Sequence, residues 1–182
     1  SLARLSPDGK LLAFLAKRGG VMNVFVAPTD DIPSAAPVTN NADGGIRNFL
    51  WAFTSRHIVY YQESGKDKSH HVYCVNLDTS QTNDLTPLDR GTAHVAATSH
   101  KFPAEIMVAI SDRPPYQLHD LYRVNIVTGQ RALVEEHNGH AGFEMDDLIL
   151  LQAFVVLSPT DNGNFDHGFS DAFVWCSVRK NR

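Results

Sequence analysis

The sequence predicts an all-β fold made of about four repeats of a four-stranded antiparallel sheet, and three observations predict it. A polar turn feeding a short apolar strand opens the chain, Leu5-Ser6-Pro7-Asp8-Gly9-Lys10-Leu11-Leu12-Ala13-Phe14-Leu15, and the same unit returns in weaker form downstream. Aromatic residues hold a fixed place in one strand of each repeat: Phe25, Tyr73, Tyr122 and Phe173 stand 48, 49 and 51 residues apart, and Phe14, Tyr60 and Val108 in the strand before them stand 46 and 48 apart. Finally, no stretch of roughly 10 to 15 residues carries helical periodicity, which removes parallel α/β folds. A super-period of about 45 to 50 residues, four strands long, marks a β-propeller blade. A β-sandwich would space its strands regularly without that longer period.

Each element has its local reason. Pro7 presets φ for a turn, Asp8 and Gly9 close it, and residues 11–15 form the strand that follows. Arg18-Gly19-Gly20 turns the chain into Asn23-Val24-Phe25-Val26-Ala27, and Pro37-Val38-Thr39 fits a short outer strand, since proline is tolerated at sheet edges. Asp43-Gly44-Gly45 then breaks the chain and the pattern restarts. It runs through the apolar residues 46–52, His57-Ile58-Val59-Tyr60-Tyr61, His71-Val72-Tyr73-Cys74-Val75 and Asp84-Leu85-Thr86. A third unit has residues 94–98, 105–110, 120–124 and 131–134, with Thr128-Gly129 as a hairpin turn. A fourth, less regular unit holds Ala141-Gly142-Phe143, the apolar run to Leu157 and Ala172-Phe173-Val174-Trp175-Cys176. The expected organisation is one partial propeller over residues 1–182, with blades near 2–40, 44–88, 92–136 and 140–178. Phe25, Tyr73, Tyr122, Phe173, Trp51 and Trp175 are expected to fill space between blades.

Composition narrows the partners. The chain has 182 residues, 43% of them hydrophobic, and a net charge of −4, an ordinary globular profile without the basic face of a nucleic-acid binder. No apolar run reaches the roughly 20 residues that a membrane helix needs, so no membrane partner is expected. Ser1-Leu2-Ala3-Arg4 is not followed by the apolar core of a secretory signal, and the expected compartment is cytoplasmic. Cys74 and Cys176 fall in different predicted blades, too far apart for the about 7 Å Cα separation of a disulfide, and are expected to be buried free thiols.

The residues that could carry chemistry favour a non-catalytic chain. His70 and His71 are strand neighbours and point to opposite faces, so they do not chelate one ion together. His137 and His140, with Glu135 and Glu136 before them, lack the Cys-x-x-Cys or His-Glu-x-x-His context of a zinc site. Glu144 with Asp146 and Asp147 reads as a solvated turn rather than an acid–base pair. Neither glycine pair opens a helix, so neither cradles phosphate. No catalytic nucleophile, metal site or cofactor is expected. One side chain stands out: Arg47, beside Phe49 and Trp51 at the start of the second unit's inner strand, where it can pair with a peptide carboxylate or with an acidic residue of a neighbouring blade.

The opening segment 5–14 resembles the blade motif of the prolyl oligopeptidase family of serine peptidases, and the TolB- and WD40-like propellers related to it. Gly45-Ile46-Arg47-Asn48-Phe49-Leu50-Trp51-Ala52, His57-Ile58-Val59-Tyr60-Tyr61 and Asp84-Leu85-Thr86-Pro87 continue the likeness. So does Leu118-His119-Asp120-Leu121-Tyr122-Arg123-Val124, nearest to the acylaminoacyl-peptidase and dipeptidyl-peptidase branch. The resemblance implies a propeller that narrows peptide access to a C-terminal α/β-hydrolase domain with Ser, Asp and His in that order. The chain itself has no G-x-S-x-G nucleophile elbow. It implies about half of a propeller, a fragment whose partners are that hydrolase domain and the peptide substrate. A stand-alone interaction module without enzymatic activity is the alternative. In either case open blade edges are expected to invite self-association.

Overall fold

In the computed structural model, which describes residues 2–64, 69–114, 118–136, 140–145, 151–157 and 172–176, strands make up all the regular structure except one 3-10 turn at Ile32–Ser34. The first sheet holds β1 (Ala3–Leu5), β2 (Leu11–Arg18), β3 (Val21–Pro28) and β4 (Ala36–Pro37), in that order. The second holds β5 (Phe49–Trp51), β6 (His57–Ser64), β7 (Ser69–Asn76) and β8 (Thr82–Asp84). The third holds β9 (Thr92–Thr98), β10 (Glu105–Ser111), β11 (Asp120–Asn125) and β12 (Arg131–Glu135). A last sheet has β13 (His140–Met145), β14 (Leu151–Leu157) and β15 (Ala172–Cys176). All pairings within these sheets are antiparallel, as consecutive strands joined by short turns require. The second and third sheets touch through one parallel bridge, His70 opposite Thr92.

The aromatic period has a direct structural counterpart. Phe14 pairs with Phe25, Tyr60 with Tyr73, Val108 with Tyr122 and Val156 with Phe173, each in its own sheet. The first two pairs stack, with ring centroids 6.0 and 5.6 Å apart. The opening turn forms as its residues dictate. Gly9 takes φ +72°, Ser6 Oγ donates to Asp8 Oδ1 at 2.6 Å, and the Lys10 amide donates to the same oxygen at 3.2 Å. The Asp8 amide reaches across to Ser55 Oγ in the equivalent turn of the second sheet, at 3.1 Å.

Alternation along each strand sends one set of side chains to each neighbour. Between the first two sheets Ala13, Leu15 and Val24 meet Phe49, Trp51, Ile58, Tyr60 and Val75. Between the next two, Val59, Val72 and Cys74 meet Ile106, Val108, Ile110 and Val124. Each buried aliphatic side chain stabilises by about 1.5–3 kcal/mol, against about 1 kcal/mol net for a hydrogen bond. Face packing therefore outweighs the sparse polar links between sheets. Some polar groups inside are partnered, while Asn41 Nδ2 and Ser111 Oγ have no hydrogen-bond partner among the described residues. Buried Asn23 accepts at Oδ1 from Thr39 Oγ1 and the Asn41 amide, at 2.9 and 2.7 Å, and donates from Nδ2 to the Asn41 carbonyl at 3.0 Å.

The sequence reading is corrected at four points. β1 precedes the opening turn, although three residues ending in a polar turn carry no readable strand period. The outer strand expected at residues 37–39 spans Ala36–Pro37, and the apolar stretch 46–52 yields only Phe49–Trp51. Phe25 does not fill a space between described sheets. Because Ala13, Leu15 and Val24 face the second sheet, Phe14 and Phe25 lie on the opposite face and stay half-buried. Tyr73 and Trp51 do pack against the core between the first two sheets, and Tyr122 against the next. Cys74 is a buried free thiol. The side chains of Phe173, Trp175 and Cys176 lie outside the described residues.

Candidate functional site

The first strands of the first two sheets come together, and the indole Nε1 of Trp51 donates to the Arg4 carbonyl at 3.0 Å across them. Arg47 lies just before β5 on this side. Ile46, fully buried, is held by its amide donating to the Met22 carbonyl at 2.9 Å, and Phe49 and Trp51 are buried against the first sheet. Between these anchors the Arg47 side chain is exposed, and none of the ion pairs formed among the described residues involves it. The cation is presented to solvent by a segment that is itself fixed.

The second sheet holds a relay that no sequence motif signals. Ser69 Oγ stands 3.2 Å from His71 Nε2, and His71 Nδ1 stands 2.7 Å from Asp84 Oδ2. This is the connectivity of a Ser-His-Asp triad, with the carboxylate orienting the imidazole from Nδ1. Its setting is structural. Ser69 and His71 are both 4% exposed, whereas a nucleophile must be open to its substrate. Asp84 Oδ1 accepts from the Thr86 amide at 2.9 Å, and Thr86 Oγ1 accepts from the Val72 amide at 2.8 Å. The His71 ring stacks on Tyr73 with centroids 6.0 Å apart. The network ties β8 and the residues after it to β7. Residues 69, 71 and 84 become neighbours only through the β7–β8 hairpin, so spacing alone could not find them.

A second polar group lies where the second and third sheets meet. His94 and His119 meet edge to face with centroids 5.1 Å apart, and Thr92 Oγ1 is 3.4 Å from His119 Nε2. Although His94 is exposed, partial desolvation by the side chains around it, and next the neighbouring His119, hold it below the ordinary histidine value. Ser111, the Cα partner of Thr92, is fully buried with no hydrogen-bond partner for its Oγ among the described residues. Gly91 passes directly over this strand end at φ +110°, where a Cβ would stand 1.8 Å from the Ser111 carbonyl oxygen.

The other candidates separate. His70 points to solvent beside Glu63, at 3.5 Å, while His71 is buried, as opposite strand faces require. Glu136 pairs with Arg113 at 2.7 Å, and Arg113 also reaches Asp120 at 2.7 Å. Among the described residues no three metal-ligating side chains converge. His137, Asp146, Asp147 and the side chains of His140 and Glu144 lie outside the described residues. No helix among the described residues is long and apolar enough to cross a membrane.

No family model matches the chain. Dipeptidyl aminopeptidase BIII of Pseudoxanthomonas mexicana is 40% identical to it over 144 residues, covering 79% of this chain and 21% of that protein. The chain spans about a fifth of the length of the curated relatives it matches. Among solved structures, dipeptidyl peptidase 4 of Porphyromonas gingivalis superposes with a TM-score of 0.60 at 15% identity, covering 85% of this chain and 29% of that one. The β-propeller domain of the Trilobed protease from Pyrococcus furiosus gives a TM-score of 0.59 at 16% identity, covering 97% of this chain and 53% of the domain. At these identities the two structures bear on the fold alone.

Proposed function

The chain is a portion of a β-propeller of the kind that prolyl oligopeptidase-family peptidases carry, and from that premise we propose that it governs which peptides reach a hydrolase domain rather than cutting them itself. The observation that carries this reading is the 40% identity to a dipeptidyl aminopeptidase over 79% of this chain, within only 21% of that protein. Most of such a protein lies beyond the matched stretch, and cleavage is assigned to that remainder. The buried Ser69 hydroxyl and the missing G-x-S-x-G elbow agree with the assignment. The propeller wall admits short peptides and turns folded proteins away. Arg47, exposed and in no ion pair among the described residues, holds a peptide carboxylate by a charge-assisted hydrogen bond.

The test has two arms. A fluorophosphonate probe leaves this chain unlabelled, whereas the longer peptidase that contains it is labelled. Specific labelling of this chain at Ser69 would overturn the division of labour. In that longer peptidase Arg47→Ala raises KM for short peptides with kcat little changed. An unchanged KM removes Arg47 from substrate binding and leaves the gating reading to be judged on size selection.

A further inference from the structure

We propose that the end of the sheets carrying the β1–β2, β5–β6 and β9–β10 turns is a docking surface for extended peptides with apolar side chains. This rests on the peptide-admitting role proposed above and names the chemical class that is admitted. The exposed large hydrophobic side chains among the described residues are Leu5, Ile32, Phe53, Phe102, Val127 and Leu133. Five of them share one end. Leu5 closes β1 just before its turn, and Phe53 and Phe102 lie in the β5–β6 and β9–β10 turns. Ile32 and Val127 lie in the β3–β4 and β11–β12 connections, while Leu133 is inside β12. In a sheet of four consecutive antiparallel strands, the first and third connections fall at the same end.

Polar and ring contacts join these turns into one surface. In the three sheets the Thr29 amide donates to the Lys10 carbonyl, Leu77 to Arg56 and Ile126 to Ala104, at 3.0, 2.9 and 3.0 Å. Each bond ties one connection of a sheet to the other. Between sheets, the Asp8 amide reaches Ser55 Oγ, and the Phe53 ring meets the His100 ring edge on with centroids 6.1 Å apart. Phe102 stands on a closed turn, its amide donating to the Ser99 carbonyl at 3.3 Å and its carbonyl accepting from Glu105 at 3.0 Å. The apolar side chains are therefore held ready rather than ordered on binding. Acidic Asp8, Asp30, Asp31 and Asp78 in these turns nearly balance Lys10, Arg56 and Lys101, so the end has little net charge to attract a charged ligand.

Topology says what reaches this surface. Each of the three sheets has four strands, an even number, so the chain enters and leaves each one at the opposite end. Residues 38–48 and 85–91 make the crossings between sheets there, and Arg47 lies there too. A domain continuous with the propeller is joined at that opposite end and leaves the turn end open. The five apolar side chains stand on separate turns with polar residues between them, not in one flat patch. A folded partner needs a continuous surface. An extended peptide sets alternate side chains against separate points.

Amide chemical-shift mapping on this chain tests the proposal. A short peptide alternating phenylalanine with serine is titrated in, and then one of equal length alternating glutamate and lysine with serine. The first shifts amides around residues 53, 102 and 127, and the second does not. Phe53→Ser with Phe102→Ser weakens binding of the first peptide about tenfold. Leu133→Ser, exposed but away from this end, leaves it unchanged. Far-UV circular dichroism identifies a variant that fails to fold, and Val127→Ser then supplies the comparison. Absence of shifts at the turn end overturns the proposal. So does equal binding of the charged peptide, or binding that the turn variants leave intact. The peptidase reading is judged separately, by size selection in the longer protein, so either can fail without the other.

Discussion

Replacing Gly91 by alanine tests the tightest point in the structure. The chain passes from the second sheet into the third here, with the His70 amide donating to the Gly91 carbonyl at 3.3 Å and His70 bridging to Thr92. An added Cβ would stand 1.8 Å from the Ser111 carbonyl oxygen, 2.8 Å from its carbon and 3.1 Å from Asp112 Cα. Backbone cannot swing aside as the end of a flexible side chain can, so β10 or the crossing must move. Two costs add. Positive φ at a residue with a Cβ costs about 1–2 kcal/mol, and forcing atoms into a packed site costs about 1–3 kcal/mol more. Gly91→Ala should destabilise by about 2–5 kcal/mol. In a chain of this length each kcal/mol lowers Tm by about 2–4 °C. Gly20→Ala is the control, since Gly20 has φ +89° but nothing within 4 Å of the added Cβ. It should show the conformational cost alone. Urea unfolding followed by far-UV circular dichroism measures both. If Gly91→Ala is no more destabilising than Gly20→Ala, the close approach of the two chain segments is refuted.

Three further outcomes are expected. Asp84→Ala strands the His71 imidazole N–H and the Thr86 amide, and should cost about 2–3 kcal/mol in the same urea assay; a loss under about 0.5 kcal/mol would mean that the relay does not hold β8. His57 and His94 are both held below the ordinary value of 6.5, His57 chiefly by burial and the exposed His94 chiefly by partial desolvation. The unfolded chain therefore takes up protons before the folded one, so stability falls as pH drops below about 6.5, and His57→Gln should flatten part of that slope. Asp8 adds to the loss further into acid. The Ser6 hydroxyl, then the Lys10 amide, hold its carboxyl below 3.8, so its contribution disappears only as pH falls through that lowered value. Burial pushes the Cys74 thiol up to about 12, so in a Cys176→Ser background Ellman's reagent at mildly alkaline pH should react only after urea unfolds the chain; rapid reaction of the native chain would place Cys74 at the surface.

The order of strands was legible because each turn carries its own instructions. Ser6-Pro7-Asp8-Gly9 closes on itself through bonds two to five residues long, and Gly9 alone among them needs positive φ. The repeat was legible because one position must serve the same packing role in every sheet. Phe14, Tyr60 and Val108, aligned by period, do sit opposite Phe25, Tyr73 and Tyr122. The exposure of Arg47 required the structure, because the fixed segment around it is held by Met22 and the first sheet. The Ser69–His71–Asp84 relay and the Gly91 crossing were not legible at all. Their partners are brought together by a hairpin and by the passage between sheets, which depend on distances through space rather than along the chain. Local turn chemistry and strand alternation thus determined the sheets. Which face of each sheet is covered was decided only by packing: a two-residue period marks two faces without saying which one meets a neighbour, and so it could not reveal that Phe14 and Phe25 face outward.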